Sequence, residues 1–312
     1  MTTLVEVARH AGVSKSTVSN VIQGRVTVAE TTRRKVELAI RETGYRPNAI
    51  ARSLRARTSH SIGMIVPDLN NPFHAALSVA VERAAKQHGY ATLVAHTDCA
   101  PDIETEVSRA LFERRVDAVV IAGLSTGSAM PTSLLDNGIP VVLASFGGLS
   151  DGRLGFVDLD DAAAMEAVVE HLFGLGHRSF AFVSQSYAEQ SGERRRQGFE
   201  QALARRALSA VSREEATAIM AHNDLLALGL IDEIERGGRT VPFDVSVTGH
   251  DDIPLAAHSR IRLTTVRSDA QFMGQRAVEL ALRAVQAGGH VADREIHTNP
   301  LVIRHSTGAA PR

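Results

Sequence analysis

The sequence of 312 residues predicts a small all-α helix-turn-helix head, followed by an α/β body of two doubly wound parallel-sheet lobes. Three observations lead there. The charge is divided: residues 1–60 hold 11 Lys/Arg against 4 Asp/Glu, a net of +7, and the remainder hold 23 against 31, a net of −8. A basic head on an acidic body points to a polyanion-binding module attached to something with another task. Near the N-terminus, two short helical patterns flank a glycine. From Ser61 onward, apolar runs of strand length alternate with amphipathic helical patterns, as in parallel sheets covered by helices.

In the head, Thr3 can cap a first helix with Val5, Val7 and Ala8 facing inward. The stretch HAGVS breaks it, with Gly12 supplying a permissive turn. Ser14 caps a second helix, SKSTVSNVI, whose Val18, Val21 and Ile22 form an inward face. Two short helices joined by such a turn make a helix-turn-helix. The second presents Lys15, Ser16, Thr17, Ser19 and Asn20 outward, at the end that enters a major groove. A third helix is expected from about Ala29 to Thr43, with Val36, Leu38, Ala39 and Ile40 packing inward and Gly44 ending it. Next comes RPNAIARSLRARTSHSIG, residues 46 to 63. One or two helical turns begin at Pro47–Asn48 and carry Ala49, Ile50, Ala51 and Leu54, ringed by Arg52, Arg55 and Arg57. So short a helix is marginal in water by itself.

In the body, the candidate strands are SIGMIVPD, ATLVAHT, DAVVIAG, PVVLAS, FAFVSQ, ATAIMAHN and VSVTGHD. FHAALSVAVERAAKQHG, DIETEVSRALFERR, DAAAMEAVVEHLFGLG and NDLLALGLIDEIERGG are the helices between them. Ligands of such sheets sit at the carboxyl ends of strands, and two facing lobes place a ligand in a cleft that closes by hinge motion. Polar residues fall where this requires them. Asp68, Asn70, Phe73 and His74 follow the first strand, and Asp160 follows FVDL. Arg195 lies in the segment after FVSQ, Asn223 and Asp224 follow AIMAH, and Asp251 and Asp252 follow VSVTGH. Asp160 and Asp224 are equally placed to act as helix caps alone. Arg194 and Arg196 read as solvated neighbours of Arg195. Hydrogen-bonding groups of this kind suit a polyhydroxylated small molecule, with Phe73 able to stack on its apolar face.

The head and the segment after it, with "VA..AGVS..TVS.V", "TR..V..A....GY.PN..ARSL" and "IG.IVPD..NPF", resemble the LacI/GalR family of bacterial transcription repressors, and the similarity runs through almost the whole chain. The resemblance implies a body of periplasmic-binding-protein type, a homodimer, and operator DNA as partner, a near-palindromic duplex. It implies that residues 48–60 form a hinge helix on that DNA, with Leu54 as a minor-groove wedge and Thr3, Asn48, Ala51 and Arg55 among the DNA contacts. A wedge that partly unstacks a base step kinks the duplex at a cost of a few kcal/mol, offset by phosphate contacts of flanking arginines. Arg195 matches the family's cleft arginine by its spacing to Gly198–Phe199, and Asp251 matches its acidic ligand-binding residue. The domains expected are 1–47, the helix-turn-helix; 48–60, the hinge; and 61–312, the effector and dimerisation domain. Its lobes are roughly 61–158 plus 267–290, and 159–266 plus 291–312. Between Phe199 and Thr217 the chain is shorter than the family pattern by roughly two dozen residues, a strand and a helix of the second lobe.

Other classes lack their signatures. The chain has no G-x-G-x-x-G after its first strand, no G-x-x-x-x-G-K-[ST] loop and no G-x-S-x-G elbow, so no enzyme is expected. The thirteen histidines show no metal spacing, and no cofactor is expected. One cysteine, Cys99, allows no internal disulfide and fits a reducing cytosol. Without a signal-peptide core or a long apolar run, the expectation is a cytoplasmic protein with no membrane contact. The expected function is a sequence-specific transcription repressor controlled by a small polar metabolite of sugar or nucleoside type.

Overall fold

The structure, a computed structural model, describes residues 2–22, 28–45, 58–144, 151–184, 190–290 and 292–311. It divides into a unit of Met1–Ser59 and a unit of His60–Arg312. In the first, α1 (Leu4–Ala11), α2 (Lys15–Ile22) and α3 (Glu30–Thr43) surround a core of Val7, Ala8, Val18, Val21, Val36 and Ala39. Thr3 caps α1 in a full capping box with Glu6, and Gly12 ends it in the left-handed region at φ 65°. The backbone N–H of Thr17 donates to Ser14 Oγ (3.1 Å), capping α2. Two expected core residues face solvent: Val5 and Leu38 are about half exposed. Helical spacing explains both. Leu4, Val7, Ala8 and Ala11 follow the i, i+3, i+4, i+7 stripe, and Val5 lies beside it; Val36, Ala39 and Ile40 make the α3 stripe, from which Leu38 is turned away.

In the second unit, strands and helices alternate: β1 (Ser61–Val66), α4 (Pro72–Gln87), β2 (Ala91–His96), α5 (Pro101–Glu113), β3 (Ala118–Ile121), α6 (Met130–Asp136), β4 (Val141–Ala144) and β5 (Gly155–Leu159). There follow α7 (Asp161–Gly174), β6 (Phe180–Val183), α8 (Gln190–Ala204), β7 (Ala218–Ala221), α9 (Asp224–Arg236), β8 (Ser246–Asp251), β9 (Thr264–Arg267), α10 (Ala270–Gln286), β10 (Arg294–His297) and β11 (Leu301–Val302). The first sheet runs β10-β5-β4-β3-β1-β2, parallel throughout. The second runs β11-β9-β8-β7-β6, parallel except for β11. The inner strands β3, β4 and β7 are buried apolar runs, as parallel strands covered on both faces must be.

The chain passes between lobes three times: from β5 to α7, from β9 to α10 and from β10 to β11. The third passage corrects the expected division. Residues 291–312 do not all lie in the second lobe, because Arg294–His297 returns to the first sheet and pairs with β5 from Phe156 to Leu159. Short β10, with alternating exposure, carried too little apolar signal to reveal this. In the shortened region, α8 leads to β7 through turns, with one parallel bridge from Ala210 to Phe180 at the outer edge of β6. No helix among the described residues is long and apolar enough to cross a membrane.

Candidate effector cleft and DNA-binding face

A cavity of about 450 Å³ lies between the lobes, at the carboxyl ends of β1, β2, β3, β7 and β8, where α/β sheets place ligands. From the first lobe it is lined by Asp68, Asn71, Phe73, His74, Asp98 and Cys99, and from the second by Ser191, Arg195, His222, Asn223 and Asp251, among others. Pro72 opens α4 and Asn71 caps it, accepting from the N–H of Phe73 at 3.0 Å. This fixes the first turn, so that Phe73 and His74 point into the lobe interface. His74 Nδ1 donates to the carbonyl of Asp68 (3.0 Å). Asn223 caps α9 in the same manner, accepting from the N–H of Leu226 at 2.8 Å.

The floor is a buried polar network. Arg195 Nε donates to Asp161 Oδ1 (3.3 Å), its Nη1 to the carbonyl of His222 (2.7 Å), and its Nη2 lies 3.8 Å from Asp251 Oδ1. Asp251 ends β8 with φ 107°, a conformation that L-residues rarely adopt and that marks strain held by its surroundings. Burial pushes the Asp251 carboxyl up, but the hydrogen bond from His250 Nδ1 (3.2 Å) and the charge of Arg195 outweigh it and hold it below the usual range. Burial, reinforced by Arg195, lowers His250, which therefore stays a neutral imidazole donating to a carboxylate.

Of the effector-site residues expected from sequence, Phe73, His74, Arg195, Asn223 and Asp251 come together in this lining. Asp160 and Asp224 do not. Asp160 is the cap of α7, accepting from the N–H of Ala163 (3.0 Å), and its neighbour Asp161 takes the buried position under Arg195. Asp224 is fully buried behind the cavity, its carboxyl held by the N–H of Ile253 (2.8 Å) and the hydroxyl of Thr265 (2.5 Å). Arg194 is also not a solvated neighbour: it pairs with Asp158 (3.0 Å) and Asp161 (3.2 Å), whereas Arg196 is the exposed one, paired with Glu193 and Glu200. Asp252 pairs with Arg267 and Arg304. Sequence reasoning missed Asn71, Asp98, Ser191 and His222. His222 follows β7 directly and Asp98 stands two residues after β2, so the rule that selected Asn223 also reaches them.

In the head, Ser14, Lys15 and Ser16 are exposed, and Thr17, Ser19 and Asn20 are half-buried on α2. Ser14 Oγ is engaged at the cap, 2.7 Å from Ser16 Oγ and 2.8 Å from Thr17 Oγ1. Thr3 is exposed, and its hydroxyl and N–H are both engaged by Glu6. Asn48, Ala51, Leu54 and Arg55 lie outside the described residues.

A helix-turn-helix unit with a two-lobed cleft protein defines a class, the DNA-binding transcription regulators with a periplasmic-binding-protein-like body, and comparison with known proteins gives the family. The pattern "Bacterial regulatory proteins, lacI family" matches residues 3–48, "Periplasmic binding proteins and sugar binding domain of LacI family" matches 59–214, and "Periplasmic binding protein-like domain" matches 169–307. The HTH-type transcriptional regulator reg1 of Streptomyces lividans is 33% identical, covering 99% of this chain and 98% of that protein. That alignment spans 344 positions against 312 residues here, so the relative carries residues that this chain lacks. The lac repressor dimer bound to operator and the anti-inducer ONPF matches with a TM-score of 0.86 at 25% identity, covering 99% of both chains. A complex of the transcriptional regulator CelR with cellobiose matches at 0.71 and 26% identity, covering 98% of this chain and 100% of that one. The chain belongs to the LacI family of bacterial transcription regulators. It is a DNA-binding transcription regulator and not an enzyme.

Proposed function

We propose that this protein is a repressor whose operator affinity is set by a small polar metabolite, of sugar or nucleoside type, bound between the two lobes. It acts as a homodimer on a near-palindromic duplex, since two-fold protein symmetry imposes two-fold site symmetry. Lys15, Ser16 and Asn20 read each half-site in the major groove, with Ser14, Thr17, Ser19 and Thr3 near the phosphates. Asn48, Ala51, Leu54 and Arg55 belong to the hinge on the minor groove. The lac repressor dimer bound to operator and the cellobiose complex of CelR support the two halves of this reading.

The observation that carries the ligand half is the cleft itself. It has the volume of a small-metabolite site, and polar groups from both lobes converge on it: His74 and Asp68 from one, Arg195, Asn223 and Asp251 from the other. Phe73 offers the apolar wall. A ligand held by both lobes favours the closed arrangement, and by linkage whatever that arrangement does to the hinge is felt at the DNA. Calorimetry with a panel of sugars and nucleosides tests it. Wild-type protein is expected to bind a member of the panel, and Asp251→Asn to bind it about tenfold more weakly or worse, because a carboxylate that accepts from ligand hydroxyls is lost. Asparagine, like the aspartate it replaces, is enriched among non-glycine residues at positive φ, so the exchange adds little backbone strain to what Asp251 already carries. Equal binding by both proteins overturns the assignment of Asp251.

A further inference from the structure

We infer that the cleft admits an uncharged polyhydroxylated ligand and excludes anionic derivatives such as its phosphate ester. The inference rests on the reading of this cleft as the effector site. Its first ground is charge. Among the described residues, the lining holds three carboxylates, Asp68, Asp98 and Asp251, and one guanidinium, Arg195. That guanidinium is already shared by two buried carboxylates, Asp161 at 3.3 Å and Asp251 at 3.8 Å. A neutral His250 adds no positive charge to this floor. At the opening, Asp98 is exposed, with His96 Nδ1 3.4 Å from its carboxylate, and Asp68 Oδ1 accepts from the N–H of Asn70. The imidazoles of the described lining are those of His74, bonded to the Asp68 carbonyl, and His222.

The second ground is geometric. Helices α4 and α9 both start at the cleft, and helix N-termini are ready anion sites because their first N–H groups point outward unpaired. Here a side chain already engages one of those N–H groups at each end: Asn71 accepts from the N–H of Phe73, and Asn223 accepts from the N–H of Leu226. A phosphate entering the cleft therefore meets capped helix ends and a guanidinium compensated by carboxylates. A hydroxyl meets carboxylate and carbonyl acceptors to which it can donate without bringing charge. Selectivity of this kind comes from repulsion of the wrong ligand as much as attraction of the right one.

The test is calorimetry on the full chain with matched pairs: ribose and ribose 5-phosphate, glucose and glucose 6-phosphate, adenosine and its monophosphate, with inorganic phosphate alone as a further probe. The free member of a pair is expected to bind at least about tenfold more tightly than its phosphate, and inorganic phosphate is expected not to compete. The gap should narrow in Asp68→Asn/Asp98→Asn and at high salt, because the rim charges are screened. A phosphorylated member that binds as tightly as its parent, or competition by inorganic phosphate, overturns this inference and leaves the effector reading standing. Failure of every pair to bind removes the effector reading, and the inference with it.

Discussion

Asp224 shows how a single carboxyl can hold the site together without touching it. Burial pushes its pKa up to about 8, and the charge of Asp251 adds to the rise against the opposing hydrogen bonds from Thr265 and Ile253. At neutral pH it is a carboxylic acid, able to donate to one partner and accept from another. Gly249 is required beside it, since a Cβ there would collide with the Asp224 carboxyl and come within 2.9 Å of Leu263. The folded-state pKa exceeds the unfolded one, so the folded chain holds the extra proton between about pH 4 and 8. The stabilising contribution is complete below the unfolded pKa and is lost as pH rises through the folded one. Asp224→Asn imitates the protonated acid with an amide that donates to Thr265 and an oxygen that accepts from Ile253. Denaturant melts across that range should show wild type losing stability relative to this variant, by the order of a few kcal/mol. A difference that stays flat with pH would show that Asp224 does not take up a proton on folding.

At the scale of the element, helix α8 sends three consecutive arginines to three different places. Successive residues turn by about 100° around a helix, so Arg195 lines the cleft, Arg196 faces solvent, and Arg194 reaches the passage between lobes. There it bonds to Asp158 (3.0 Å) and to the carbonyl of Leu159 (2.8 Å), while Arg294 of β10 holds the other oxygen of Asp158 (2.9 Å). Second-lobe α8 is thereby tied to first-lobe β5 next to the cleft. Arg194→Ala and Asp158→Asn should each cost about 1–3 kcal/mol, and the double variant less than their sum, as a shared contact requires. Arg196→Ala should stay within about 0.5 kcal/mol, since exposed i,i+3 and i,i+4 pairs contribute little. Additive losses in the pair would show that the two side chains act independently. The run of three arginines was legible as a site, through the spacing of Arg195 to Gly198–Phe199, and Arg196 is solvated as its sequence reads, but the fate of Arg194 was not legible. It depends on Asp158 and Asp161, more than 30 residues away. Strand ends and capping signals were legible for a local reason: each is set by residues within one turn of it. Asp160 against Asp161 shows the limit of that reading, because one residue of helical phase decides which carboxylate caps and which is buried.

At the scale of the whole molecule, alternation of apolar runs with amphipathic helices sufficed to predict two parallel-sheet lobes, whereas the return of β10 to the first sheet depends on pairing across more than 130 residues. Of the three passages between lobes, the second meets the cleft at Ser268, whose hydroxyl lies 3.4 Å from Asp251 Oδ1. The shortened stretch after α8 leaves the outer edge of β6 with a single bridge at Ala210, on the lobe that supplies Arg195 and Asp251. Ligand in this cleft is expected to change DNA binding, and the direct measurement is operator affinity with and without ligand. Sites selected by the full chain from random duplex DNA should contain an inverted repeat, and the selected duplex is then titrated with wild type and Asp251→Asn. A ligand that calorimetry shows to bind should change wild-type affinity for that duplex by about 5-fold to 150-fold, the usual span of allosteric coupling. Asp251→Asn should bind the same duplex with basal affinity close to wild type and give no response at that ligand concentration. Saturating ligand that leaves wild-type operator affinity unchanged would contradict the claim.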